Sequence, residues 1–272
     1  MKDRLPLKLN PDQPLVMGIL NVTPDSFSDG GQFNAAKAAI IHADLMIKNG
    51  AKLIDVGGES TRPGAVEVDA EEELKRVIPV LEQLRELPVV LSIDSYKARV
   101  AKQACELGVQ VVNDVWGLQR DAAMADVVAD AEAHVVMMHN RLEVDPDIDI
   151  VSDVKRGFEA SIAKADRAGI PKEKQILDPG FGFGKTLEQN YRVLACFEEF
   201  QSFERPLLVG ASRKSMIGRV LNNEPEERLA GSLAVHSLAL QKGADIVRAH
   251  DVKEHVEICE IIAAYRKWGQ SN

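Results

Sequence analysis

A chain of 272 residues, 45% of them apolar and with a formal net charge of −9, is long enough for one large α/β barrel or two smaller domains and apolar enough for a substantial core. The acidic balance, with no basic stripe to offset it, excludes a general nucleic-acid or membrane-surface binder, so any anionic ligand must be held by local cations. Residues 1–6 have no apolar signal region and no run is long enough to cross a bilayer, which predicts a soluble, cytoplasmic chain.

Residues 4–15 carry Pro6, Pro11 and Pro14 and read as a short N-terminal hairpin or arm ahead of the main fold. Val16-Met17-Gly18-Ile19-Leu20 is an apolar run ending in Asn21, followed by the turn-rich Thr23-Pro24-Asp25-Ser26. Asn34 is placed to cap a helix carrying Ile40, Ala43 and Ile47 and stopping at Gly50. A second run, residues 52–56, holds Asp55 and opens at Gly57-Gly58 into Glu59-Ser60-Thr61-Arg62-Pro63-Gly64. Asp69 and Glu72 have the spacing of a capping box before the stripe Leu74, Val77, Ile78 and Leu81, with Pro79 as a kink. Val89-Val90-Leu91-Ser92-Ile93 ends in Asp94, and a helix over 97–107 stops at Gly108.

Residues 109–112 run into Asn113-Asp114, and after a helix over 121–132 the run 134–138 ends in His139. A loop with Asp145-Pro146 leads to a helix closing near Gly169. Ile176-Leu177 then ends in Asp178, with Pro179 and the alternate glycines Gly180, Gly182 and Gly184 at once behind it. Gly184-Lys185-Thr186 lacks the leading glycine of a P-loop, since position 179 is proline, and the three glycines miss the dinucleotide spacing by one residue. A helix over 187–200 follows, then the run 206–209 into Ser212-Arg213-Lys214-Ser215, a helical segment over 225–242, and the run 244–247 into Arg248-Ala249-His250. Cys105, Cys196 and Cys259 fall in helical segments and, being odd in number, read as reduced thiols.

Eight near-continuous apolar runs alternating with helices describe strands buried on both faces, and hence a parallel sheet. Eight units in about 250 residues is the arithmetic of a closed (β/α)8 barrel. The expectation is therefore a single TIM-barrel domain over residues 1–272, with residues 1–15 as its arm. An open doubly wound sheet is the alternative, but it would not need every strand to end in a polar group. In a barrel, Asn21, Asp55, Asp94, Asn113, Asp178, Lys214, Arg248 and His250 all face one mouth. Any one of them has a bland reading as a turn cap or a satisfied rim histidine. The set is costly unless something binds. The hydroxyls and cations after runs seven and eight suit an oxyanion, and Asp94, Asn113 and Asp178 suit a flat ligand rich in N–H donors, such as an aminopyrimidine.

These residues make the chain resemble the dihydropteroate synthase family, from Gly18 nearly to the C-terminus. The resemblance rests on segments 18–31, 57–64, 92–95, 113–114, 177–185, 212–215 and 248–251, seven motifs in family order. It implies a folate-pathway transferase that joins p-aminobenzoate to (7,8-dihydropterin-6-yl)methyl diphosphate, releases pyrophosphate, requires Mg²⁺ and works as a homodimer. Residue by residue, it implies that Asp94, Asn113, Asp178, Lys214 and Met137 hold the pterin. Asn21, Arg62, Arg248 and His250 hold the diphosphate, with the Asn21 oxygen on the metal. Thr61, Pro63, Phe183 and Ser215 shape the p-aminobenzoate pocket, and Asp94, Lys214 and Arg62 carry the catalysis.

Two local features qualify the resemblance. Many relatives follow the fifth strand with Met-x-Gly-x-Pro, where this chain has His139-Asn140-Arg141-Leu142-Glu143, so the role of His139 stays open. Gly182-Phe183-Gly184-Lys185 lacks the extra residues of sulfonamide-insensitive relatives, which implies ordinary sensitivity. The competing readings are a barrel that passes a methyl group from methyltetrahydrofolate to a corrinoid protein, which has no use for the anion-binding half, and a pterin-binding barrel without activity.

Overall fold

The computed structural model describes residues 6–10, 12–22, 31–60 and 66–269. Each apolar run becomes a strand: β1 (Leu15–Asn21), β2 (Leu53–Gly57), β3 (Val90–Asp94), β4 (Val111–Asp114), β5 (His134–Met138), β6 (Gln175–Asp178), β7 (Leu208–Val209) and β8 (Ile246–Ala249). Around them lie α1 (Gly31–Lys48), α2 (Ala70–Leu84), α3 (Ala98–Glu106), α4 (Met124–Asp130), α5 (Ile150–Arg167), α6 (Leu187–Ala195), α7 (Ser215–Leu221), α8 (Leu229–Gln241) and α9 (Val252–Gly269). All ladders are parallel, in the order β6-β5-β4-β3-β2-β1-β8-β7. The ends meet at one bridge between Leu177 and Leu207, where the Leu177 N–H donates to the Pro206 carbonyl over 2.9 Å. The predicted (β/α)8 barrel is therefore present, with a seam between β6 and β7.

Side chains alternate along a strand, and in a closed barrel one set must fill the inside. Met17, Leu53, Val90, Val111, Val136, Ile176, Leu208 and Ile246, one from each strand, form a buried inner cluster with Leu7, Leu9 and Leu15 packed against it. Asn10 pairs with Gln13 in an antiparallel bridge, so the predicted hairpin exists and its leucines cap the barrel floor. The other set packs outward under the helices in a second, larger core. Two residues beyond the floor on the inner face stand Asp55, Ser92, Asn113, Asp178 and Arg248. The inside thus changes from apolar to polar within one layer.

Several local expectations change. α1 begins at Gly31, ahead of the expected cap at Asn34. Asp55 is not a strand end, because β2 continues to Gly57. Asp69 does cap α2, its carboxylate accepting the Glu72 N–H at 2.8 Å, but the Glu72 side chain turns to Arg76 instead of completing the box. The segment 187–200 divides into α6 and a 3-10 stretch, Phe197–Phe203, and α7 has no counterpart in the predicted elements. Among the described residues no helix is long and apolar enough to cross a membrane.

Candidate active site

Arg248 stands at the centre of the mouth. Its Nε donates to Asp55 Oδ2 at 2.7 Å and its Nη2 to Asp94 Oδ2 at 2.7 Å. Asp55 is fully buried and also accepts from Ser92 Oγ at 2.5 Å and Asn113 Nδ2 at 2.9 Å. Register explains the meeting, since Asp55 pairs with Ser92 and Asp94 pairs with Asn113 across neighbouring parallel strands. Asp94 Oδ1 is buried with no partner among the described residues, a costly state for a carboxylate oxygen. Burial raises the Asp94 carboxyl to about 7 against the pull of Arg248. Burial also works against the Arg248 cation, but Asp55 and Asp94 outweigh it and hold it above its ordinary range.

Asp178 closes the other side. Its Oδ1 accepts the Gly180 N–H at 2.8 Å, and its Oδ2 lies beside Gly210, as does the Arg248 stem, so strands six, seven and eight converge there. Burial raises its pKa despite Lys214 nearby. Lys214 Nζ donates to the Phe181 carbonyl at 2.5 Å and sits 4.5 Å from the centre of the Phe183 ring. Burial lowers Lys214 to about 8, with Asp178 opposing. Phe181 is fixed from below by its parallel stack on Phe197, 6.5 Å between centres, so a rigid aromatic contact places the carbonyl that holds the lysine.

The loop after β6 is strapped to the loop after β5. Lys185 Nζ, 6% exposed, donates to the Gly180 carbonyl at 2.8 Å and the Phe183 carbonyl at 3.1 Å, and meets His139 Nδ1 at 3.0 Å. An ammonium only donates, so His139 Nδ1 accepts and Nε2 carries the proton toward Asp153 Oδ2, 3.2 Å away. Gly180 has φ +69°, and a Cβ there would lie 2.0 Å from the His139 carbonyl. His139 in turn points the Cδ2 edge of its ring at Gly157 of α5, where a Cβ would come within 2.6 Å of Cδ2. His139 thus belongs to this strap, on the outer side of the mouth.

In the anion-facing half, the Ser212 hydroxyl accepts the His250 N–H at 3.2 Å and meets His250 Nδ1 at 3.0 Å. Arg213, expected to add to the positive cluster, is paired through Nε and Nη2 with both oxygens of Asp251, at 3.0 and 2.5 Å. Asn21 Oδ1 and Asp94 Oδ2 both lie beside Gly57, 3.7 and 3.6 Å from where a side chain there would begin. Ser215 is the exposed first residue of α7. Thr61, Arg62 and Pro63 lie outside the described residues.

One assignment is corrected by the strand's alternation. The resemblance puts Met137 against the pterin, but Met137 is fully buried in the outer core beneath the helices. Met138 faces inward, packed with Tyr96 and Val115 and flanked by Trp116 and Phe183. A shift of one residue along a strand exchanges the two faces. This apolar ledge, the Asp55 hub and the Lys185 strap are all missed or undervalued from sequence. The Tyr96 hydroxyl also meets Glu59 and Glu67, each at 3.1 Å, on either side of segment 61–65. Asp114 bonds the N–H groups of Trp116 and Leu118 at 2.8 and 2.7 Å, so it shapes the turn beneath the ledge.

Carboxylates, an amide, a guanidinium and a lysine gathered beside an apolar ledge at the mouth define a parallel-barrel enzyme. A family model described as pterin binding enzyme matches residues 17–250. The chain is 49% identical over 263 residues to the dihydropteroate synthase of Escherichia coli (strain K12), covering 94% of this chain and 93% of that one. It is 47% identical to that of Bacillus subtilis (strain 168), covering 93% and 89%. The solved dihydropteroate synthase of Clostridium difficile, in the presence of pteroic acid, superimposes with a TM-score of 0.90 at 51% identity, covering 93% of this chain and 96% of that one. The chain belongs to the dihydropteroate synthase family, and it is a transferase.

Proposed function

We propose that the mouth joins p-aminobenzoate to (7,8-dihydropterin-6-yl)methyl diphosphate, with Asp94 as the group on which the reaction turns. The observation that carries this reading is the divided state of that carboxylate: Oδ2 held by Arg248, Oδ1 buried and without a partner among the described residues. A heterocycle N–H satisfies that oxygen. Asn113 and Asp178 take further ring donors, Lys214 reaches the ring's polar atoms, and Met138 supplies the apolar face expected of Met137. When the C–O bond to the diphosphate breaks, pyrophosphate takes the electron pair and positive charge develops on the pterin methylene. The Asp94 carboxylate, already fixed in place by Arg248, stabilises it without having to reorganise. The arylamine lone pair then forms the C–N bond and the nitrogen loses its proton.

Arg248, His250 and Asn21 face the departing anion, and Arg62 joins them in this reading. Thr61, Pro63, Phe183 and Ser215 border the arylamine. Among the described residues no group of three His, Cys, Asp or Glu could hold a metal alone. Asn21 Oδ1, a neutral oxygen at the strand end, fits a hard cation that takes its other oxygens from a diphosphate and water. Mg²⁺ held this way would neutralise charge on the leaving group. The three cysteines, all buried and none in a disulfide, fit a reducing cytoplasm. Val220, Leu221, Leu238, Ile261, Tyr265 and Trp268, exposed on α7, α8 and α9, of which α8 packs against the other two, fit a second copy of the chain.

Pyrophosphate release tests the reaction. It is expected to need the pterin diphosphate, the arylamine and Mg²⁺ together, and to be slowed by sulfamethoxazole in competition with p-aminobenzoate. The solved Yersinia pestis dihydropteroate synthase carries a sulfonamide drug. Sustained release over many turnovers without any arylamine, or methyl transfer to a corrinoid in its place, would overturn the reading.

A further inference from the structure

Asp55 has no part in the reaction above, yet it is the most connected carboxylate in the mouth. Its oxygens accept from three strands: Ser92 on β3, Asn113 on β4 and Arg248 on β8. A buried counter-ion for Arg248 would account for one of these bonds. The bond to Asn113 does something else. A primary amide is a donor at one end and an acceptor at the other, while a carboxylate only accepts. Asn113 must therefore turn Nδ2 toward Asp55, which leaves Oδ1 as the end for a ligand.

We propose that Asp55 is a specificity-determining positioning residue: by holding the Asn113 amide in one sense, it makes every heterocycle-facing group on that side of the mouth an acceptor. Asp94, Asn113 and Asp178 then demand N–H donors from the ring edge. A bicyclic pyrimidine with an amino group at carbon 2 meets that demand. Its 2-oxo counterpart presents an oxygen to oxygens and leaves buried acceptors unpaired, the kind of mismatch that discriminates most strongly. Asp55 Oδ2 takes both the Asn113 amide and the Arg248 Nε, so asparagine at 55 would keep its oxygen there, whereas with Asp55 replaced by alanine no acceptor at position 55 holds Asn113 Nδ2. The amide is then free to reverse and show N–H2 to the ligand.

The inference rests on the pterin-facing reading of Asp94, Asn113 and Asp178, and the test separates the two. Calorimetry compares 6-hydroxymethylpterin with its 2-oxo analogue on the full chain, each with pyrophosphate and Mg²⁺. If the native chain binds neither ring, the reading itself fails. If it prefers the amino ring, Asp55→Ala is expected to lower the amino-to-oxo ratio at least about 10-fold. Asp55→Ala with Asn113→Asp has only oxygens at position 113 and returns a carboxylate to Arg248, so it is expected to restore the ratio. Asn113→Asp alone sets two carboxylates face to face, and the double variant should bind the pterin at least about 10-fold tighter than it. That comparison stands even if Asp55→Ala does not fold. A folded Asp55→Ala chain with an unchanged ratio, or a double variant no better than Asn113→Asp, would show that Asp55 only balances charge.

Discussion

Asp94 pays for its readiness in stability. Its ordinary pKa is 3.8, and burial moves it to about 7 in the folded chain. A folded-state pKa above the unfolded one means that the native state binds the proton more tightly. The resulting stability is complete below pH 4 and is lost as pH rises through 7, at about 1.4 kcal/mol per unit. Asp94→Asn carries no such charge, so its melting temperature relative to the native chain should be higher at pH 8 than at pH 5. Thermal scans at the two pH values read this directly, and equal differences at both would exclude the raised carboxyl. At this scale the polar residues were legible because charges ending apolar runs are rare without a purpose. The choice between Met137 and Met138 was not, because Val135-Val136-Met137-Met138 is buried on both faces and carries no alternation to read. Nor could any pattern show that Arg213 is taken up by Asp251.

Among elements, the loop after β6 does the most positioning. Its glycines announced a tight turn, but the partner that requires it, the His139 carbonyl, lies in another loop. Lys185 joins the two, and burial lowers it to about 7 against the pull of Asp178. Its third N–H, and with it the full strap, is present below that pH and is lost above it. Lys185→Met keeps the stem and removes the donors. It is expected to raise the KM for p-aminobenzoate several-fold and the Kd of the pterin less, since Phe183 lies on the strapped loop, whereas the pterin is held by Asp94 and Asn113 outside it as well as by Asp178 and Lys214 against it. Steady-state kinetics with calorimetry measure both, and equal changes would place the strap under the whole mouth. α7 escaped notice for a related reason: at seven residues it is too short for a periodic stripe, and it stops at Asn222 in a left-handed turn.

For the whole molecule, the barrel was legible because eight buried runs alternating with helices have few other ways to fold. The placement of its outer apolar face was not legible, since Ile261, Tyr265 and Trp268 look like any helical stripe until α9 is seen to leave them uncovered. A dimer of this 29.8 kDa chain is expected by light scattering at micromolar concentration. Leu238→Glu with Trp268→Glu should give a monomer with an intact fold by circular dichroism. A native monomer at that concentration would remove the proposed partner.

The floor formed by the eight inner side chains and the leucines of the N-terminal arm plugs the barrel opposite the mouth. A ligand held in the mouth is therefore expected to come and go by one side, where the strand ends gather.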